Sequence, residues 1–155
     1  GATEGGIAAG ADELRKAGRP TEGFLQTDGS GLDRGDRATC RLLQAVLTES
    51  GPDDGVSTDL AVSGTTGTLR DRLRGADVRG RIRAKTGTLR DVTALSGWAE
   101  GRNDTDVAFS FVLNTGGRQV SAADLRVEEQ LVSSLVTYPD APDPSVLGPL
   151  PPERS

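Results

Sequence analysis

Lys85, Thr86, Gly87 and Thr88 stand in a row in "RIRAKTGTLRDV", and Lys85 is one of only two lysines in a chain of 155 residues. A compact ammonium beside two hydroxyls and a glycine suits an anionic ligand. A phosphate loop would need Gly, four residues, then Gly-Lys-Ser/Thr opening a helix. Here Ala84 precedes Lys85, Thr-Gly follows it, and the run before it alternates like a strand. The stretch "GTTGTL" at 64–69 has the glycines and lacks the lysine. The four residues are therefore read as a strand feature, with nucleotide binding kept only as a remote reading.

On a strand, Lys85 and Gly87 point one way and Thr86 and Thr88 the other. A glycine in such a run marks close approach by another backbone. An extended peptide can add itself alongside such a strand. Lys85 would then supply positive charge, a threonine hydroxyl would bind a carboxylate, and a strand N–H would face a developing oxyanion. The same four residues also suit an ordinary strand end with a solvated lysine.

Other chemistries are narrowed by what the chain lacks. It contains no His, which removes Ser-His-Asp and Cys-His pairs and most zinc sites. No metal and no cofactor is expected. Cys40 is the lone cysteine, and in "RATCRLLQAVL" it reads as a small buried helix residue rather than a reactive thiol. Ser30 in "DGSGL" sits between glycines, but a nucleophile elbow is Gly-x-Ser-x-Gly with a His partner. Asp28 and Ser30 are read as turn residues, and Ser63 as a turn hydroxyl. Trp98 and Phe109 are read as core.

The elements that must hold the lysine strand follow from periodicity. "GIAAGADELRKA" (6–17) places Ile7, Ala11 and Leu14 near helical spacing, and Gly18 and Pro20 stop it. Phe24 to Thr27 reads as a short strand. "RATCRLLQAVLTES" (37–50) puts Leu42 or Leu43, Val46 and Leu47 on one helical face. Residues 57–75 read as a short helix, a glycine turn and a second short helix. "VRGRIRAKTG" (78–87) alternates, with Val78, Gly80, Ile82 and Ala84 opposite Arg79, Arg81, Arg83 and Lys85. "DVTALSGWAE" and "DVAFSFVLN" follow, joined by the hairpin turn "GRNDT". In "SAADLRVEEQLVSSLVTY" (121–138) Ser121 caps a helix with Asp124 three residues on. Leu125, Leu131, Leu135 and the valines form its apolar face. The predicted layout is α+β, an antiparallel sheet with helices packed on it.

Composition sets outer limits. Apolar residues are 34 % and aromatics 3 %, with 21 glycines and 8 prolines. Such a chain buries a modest core and leaves room for something else to cover the rest. The net charge is −5 and the arginines are interleaved with acids, so nucleic acid is not an expected partner. No apolar run of about 20 residues exists to span a membrane. There is no Met, so the chain reads as cut or processed from a larger product. Residues 139–155 hold six prolines and are expected to form an extended or disordered tail.

The wider context of the lysine box resembles a known group. "RAKTGTLRDVTALSGWAE" is similar to the Lys-Thr-Gly box of penicillin-binding proteins and serine β-lactamases. "DGSGLDRGDRATCRLL", "SGTTGTLRDRLRG" and "VRGRIRAKTGTLRDVTALSGW…FSFVLN" together resemble, in order, blocks of the D-alanyl-D-alanine carboxypeptidases of the penicillin-binding protein 4 type, peptidase family S13. The likeness spans about residues 6–137. It implies a penicillin-binding-protein-like transpeptidase fold, with residues 1–138 as its C-terminal portion. It also implies cleavage of D-Ala-D-Ala stem peptides of peptidoglycan through an acyl-serine, acylation of that serine by β-lactams, and an extracytoplasmic location, in the periplasm or cell wall. Lys85 would assist the site electrostatically. Thr86 and Thr88 would bind the terminal carboxylate, the Thr88 N–H would be one oxyanion donor, and Gly87 would leave room for substrate.

The chain departs from that pattern where the nucleophile belongs. Ser-x-x-Lys is missing, because Glu13 stands three before Lys16 and Ile82 three before Lys85. Ser-x-Asn is missing too, because Gly101 and Val112 stand two before Asn103 and Asn114. Both motifs are expected in a missing N-terminal half of the domain, which would be a partner of this chain. The chain alone is expected to be inactive. The alternative is a non-catalytic module that binds substrate or complements a separate fragment.

Overall fold

The computed structural model describes residues 4–140. Three alternating runs form its centre. Strands β2 (Ile82–Thr88), β3 (Val92–Glu100) and β4 (Asp106–Asn114) pair antiparallel as a meander. The β3–β4 turn is built on Asn103 and Asp104, both with positive φ (56° and 54°). That is the backbone a two-residue hairpin needs to match strand twist, and Asn and Asp tolerate it. Gly101 N–H closes the turn on the Thr105 carbonyl at 2.7 Å.

A fourth strand, β1 (Ala61–Val62), pairs antiparallel with Ala84 and Arg83 and gives the sheet order β1-β2-β3-β4. Sequence patterning missed β1, since two residues are too few to show a period. It also expected a second helix after it. The chain there makes only a 3₁₀ turn, Gly67–Leu69, before a run of turns. The strand expected over 24–27 is reduced to a single bridge between Leu25 and Arg37. β2 starts at Ile82 rather than at Val78, because Gly80 takes φ 81° and breaks the extended run.

Helices α1 (Glu4–Lys16), α2 (Cys40–Ser50) and α3 (Gly55–Thr58) precede the meander, and α4 (Ala122–Ser134) closes it. The sheet has two occupied faces. α2 and α3 lie on the face of Trp98 and Ala108: the Trp98 indole donates to Ser57 Oγ at 3.1 Å, and Gln44 Nε2 donates to the Ala108 carbonyl. The opposite face packs on α4 and the 3₁₀ turn after it. There Ile82, Ala84, Leu95, Ala99 and Phe109 meet Leu69, Val132 and Val136 in the core. The architecture is α+β, as the patterning indicates, with helices on an antiparallel sheet.

Two helix faces differ from the periodic reading. α4 buries Glu128 and Val132, while Leu131 is half exposed at 52 %. α2 begins at Cys40 under a Thr39 cap whose Oγ1 accepts the Leu42 N–H at 3.1 Å. Cys40 is thereby the first helical residue and is exposed rather than buried. Leu42 takes the buried place, and Val46 points out. Trp98 and Phe109 are core residues as expected. The proline-rich tail expected over 139–155 lies, from residue 141, outside the described residues.

Candidate active site

Lys85, Thr86, Gly87 and Thr88 occupy the last four positions of β2. β1 covers the outer edge only as far as Ala84. Beyond it the edge has no strand partner among the described residues. The direction of each backbone group follows from the ladder. Glu100 N–H donates to the Arg81 carbonyl and Leu89 N–H to the Val92 carbonyl, so the odd residues of β2 bond to β3. Ser63 N–H donates to the Ile82 carbonyl from the other side. Alternation then points the N–H and C=O of Thr86 and Thr88 to the open edge.

The side chains flank that edge from both faces of the sheet. Lys85 Nζ donates to the Thr86 carbonyl at 2.7 Å, which brings the ammonium round to the outer side. Lys85 also heads a row of polar residues across the sheet. It pairs with Ser96, which pairs with Ser110, and the two serine hydroxyls lie 2.9 Å apart. The Thr86 hydroxyl points to the other face and donates to Thr68 Oγ1 at 2.9 Å. Thr88 is exposed. The result is a peptide-sized length of free strand edge with an ammonium, a fixed hydroxyl and outward N–H groups.

Gly87 does not meet another backbone, contrary to expectation. A Cβ there would find only the Ala94 Cβ, at 3.6 Å, so the position borders open space. The close approach is at Gly97 instead. A Cβ at Gly97 would lie 2.0 Å from the Arg83 carbonyl oxygen and 2.7 Å from the Ala84 Cα. Gly97 sits inside the strand-like run "DVTALSGWAE", and that lone glycine was the signal for it.

The glycine-rich turn at 64–69 buttresses the edge. Val62 O accepts the N–H groups of Thr65 and Thr66, and Thr66 Oγ1 accepts the Val62 N–H. Gly64 (φ 62°) sends its N–H to the carbonyls of Leu69 and Arg72. Leu69 is fully buried and pins the turn, which leaves Thr68 facing Thr86. Thr68 carries no mark of this role in the sequence. A hydroxyl pair across a sequence gap of 18 residues leaves no periodic trace.

Ser63 is buried. Its hydroxyl donates to the Val78 carbonyl at 2.6 Å and accepts the Ile82 N–H at 3.1 Å, so it serves the turn as read. Asp28 and Ser30 likewise bond to each other: Asp28 accepts from the Ser30 N–H, the Ser30 hydroxyl and the Gly31 N–H. The Ser30 hydroxyl bond, helped by these N–H groups against some desolvation, holds the Asp28 carboxyl below its ordinary range. This loop frames an open cleft of about 970 Å³ that reaches Leu89, Val92 and Val112 at the end of the box strand. An ion pair between Arg34 and Asp91 ties the loop to the β2–β3 turn. No group of His, Cys, Asp and Glu able to hold a metal occurs among the described residues. No described helix is long and apolar enough to cross a membrane.

Residues 1–136 match the D-Ala-D-Ala carboxypeptidase 3 (S13) family. A D-alanyl-D-alanine carboxypeptidase of Actinomadura sp. (strain R39) is 33 % identical over 146 residues, covering 89 % of this chain and 26 % of that protein. The chain spans about a quarter of the length of the curated relatives it matches. Penicillin-binding protein 4 (dacB) from Haemophilus influenzae superposes with a TM-score of 0.74 at 25 % identity, over 86 % of this chain and 32 % of that one. Bd3459, a predatory peptidoglycan endopeptidase from Bdellovibrio bacteriovorus, shares the fold with a TM-score of 0.64 at 22 % identity, over 87 % of this chain and 37 % of that one.

Proposed function

Because the chain belongs to the D-Ala-D-Ala carboxypeptidase 3 (S13) family, we propose that it supplies one wall of the active site of a serine-type D-Ala-D-Ala carboxypeptidase or endopeptidase. The substrate class is the stem peptide of peptidoglycan, and penicillins would acylate the same nucleophile. The observation that carries this reading is the open edge of β2, where Thr86 and Thr88 direct backbone groups outward beside the Lys85 ammonium. The Haemophilus protein has also been solved in complex with a β-lactam.

On this edge an extended peptide bonds to the strand as an added antiparallel partner. Its terminal carboxylate meets the Thr88 hydroxyl, the field of Lys85 and the Thr86 hydroxyl, whose proton turns to the carboxylate while the Thr68 hydroxyl donates to Thr86 Oγ1 in its place. When a serine oxygen attacks the scissile carbonyl, charge develops on the carbonyl oxygen. The Thr88 N–H, which faces the open edge, donates to it in this reading and stabilises the tetrahedral state more than the ground state. As the tetrahedral state collapses, the serine proton passes to the departing nitrogen, so the terminal amino acid leaves as its amine and an acyl-serine remains; water then hydrolyses that ester, freeing the shortened peptide's carboxylate and restoring the serine hydroxyl. The open space at Gly87 admits the peptide backbone.

The serine itself lies outside this chain, which holds no Ser-x-x-Lys and no Ser-x-Asn. We assign those motifs to an N-terminal part of the same domain, with residues 1–138 as the C-terminal part. Peptidoglycan as substrate places the parent outside the cytoplasmic membrane. Fluorescent penicillin tests the assignment. The 155-residue chain alone should give no covalent band, and the intact enzyme should give one. A band on the lone chain, or none on the intact enzyme, would sink it. The second reading, a non-catalytic partner module, is favoured by the missing nucleophile. It predicts that no longer form of the protein labels.

A further inference from the structure

Glu128 is the one charged residue among the fully buried described residues. Its carboxylate accepts from Arg72 Nη2 at 2.7 Å and from the Thr93 hydroxyl at 3.3 Å. Arg72 Nε reaches Glu129 at 2.7 Å. Thr93 stands opposite Thr88 in the β2–β3 register, so the buried carboxylate sits behind the end of the box strand. A buried ion pair contributes little net stability, because desolvating both charges offsets most of their attraction. Its effect is geometric: breaking it strands a charge, so the elements that carry the two groups are held in one arrangement.

Those elements are α4, which carries Glu128, and the turn that buttresses the open edge, which ends at Arg72. Leu73, next in sequence, is buried with φ 53°. A non-glycine residue holds that backbone only where its surroundings over-determine it. Arg72 also returns its carbonyl to Gly64 N–H at the start of the turn. Thr68 lies between these two anchors and accepts the Thr86 hydroxyl.

We propose that Arg72 and Glu128 are positioning residues: they clamp the 64–72 turn to α4, and so hold Thr68 where it orients the Thr86 hydroxyl at the open strand edge. This rests on the acyl-transfer reading of that edge. Neither residue touches substrate. Weakening the clamp tilts the Thr86 hydroxyl, and small misplacements of this kind are costly in rate.

The test is a double-variant cycle in the intact enzyme, reading the second-order rate constant of acylation by a fluorescent penicillin at a temperature where every variant is folded. Glu128→Gln and Thr68→Val should each slow acylation by about tenfold or more. The double variant should be no slower than about threefold below the slower single, because both act through one hydroxyl. Where Glu128→Gln does not fold, Arg72→Lys takes its place. Singles at the wild-type rate, or a double equal to the product of the singles, would overturn the proposal. In the 155-residue chain, Glu128→Gln should also shift the amide resonances of Thr68 and Thr86, and unmoved resonances overturn it too. An intact wild-type enzyme that is not acylated would instead remove the acyl-transfer reading, while the resonances still report on the clamp.

Discussion

Gly97 stands opposite Ala84 across the β2–β3 ladder so closely that a Cβ on Gly97 would lie 2.9 Å from the Ala84 Cβ and 2.0 Å from the Arg83 carbonyl oxygen. Neither neighbour can yield, since one is backbone and the other is fully buried in the core. Gly97→Ala must therefore push β2 away from β3. We expect a loss of about 3 kcal/mol or more, at the upper end of overpacking costs. Urea unfolding of the chain measures it. A midpoint within error of wild type would show that the strands separate freely.

Gly87 gives the opposite expectation from the same strand pair. A Cβ there meets only the Ala94 Cβ at 3.6 Å, an ordinary contact. Gly87→Ala should change stability by less than about 1 kcal/mol, because φ is not in the left-handed region and the site is exposed. The added methyl nevertheless projects from the same face of β2 as the Lys85 side chain. Under the proposed acyl-transfer function, acylation of the full-length protein by penicillin should then slow by about tenfold or more if substrate backbone passes there. Unchanged acylation would place the substrate elsewhere.

Lys85→Arg separates charge from shape. Lys85 is exposed, and its ammonium reaches the Thr86 carbonyl as a single point donor at 2.7 Å. Arginine keeps the charge but presents a larger planar fork. Stability should stay within about 0.5 kcal/mol, while acylation of the intact enzyme should fall about tenfold or more. Near-wild-type acylation would mean that Lys85 supplies only a diffuse positive field.

The glycine pair shows what was legible in the sequence and what was not. A strand glycine does mark close approach, but the crowded one is Gly97, one strand over, and not Gly87 in the conspicuous box. Register across strands decides which glycine is crowded, and register is not written in either run alone. The meander, its Asn-Asp turn and the Ser121 cap were legible because each depends on neighbours within a few residues. β1, Thr68 and the Arg72–Glu128 pair were not. They are fixed by contacts between segments more than 15 residues apart. Glu128 also sits on a helix face that hydrophobic periodicity assigns to leucine and valine, so the pattern pointed to Leu131 and away from the buried carboxylate.

Ser63→Ala tests the support beneath the edge. The buried hydroxyl joins the Val78 carbonyl to the Ile82 N–H, where β2 begins. On substitution the Ile82 N–H is left unpaired, while the Val78 carbonyl keeps the Arg81 N–H at 3.1 Å. Leaving buried polar groups unpaired costs about 1–3 kcal/mol. Chemical unfolding should show a loss in that range. A midpoint within error of wild type would show that the Ile82 N–H finds another partner.

Asp124 makes the α4 cap depend on pH. Its carboxyl accepts from the Arg118 guanidinium and from the Ser121 hydroxyl and N–H. The Arg118 bond first, then those to Ser121, hold it far below the ordinary carboxylate range in the folded state. Unfolded, it titrates near about 3.9. A folded value below the unfolded one means the contribution to stability is fully present above about pH 5, where both states are ionised. It declines as pH falls through the unfolded value toward the folded one, because the unfolded chain takes up the proton first. Asp124→Asn should therefore be less stable than wild type at pH 7, and the difference should shrink steadily below about pH 4. Thermal melts of both chains across that range check it, and a gap that widens on acidification would contradict the assigned shift.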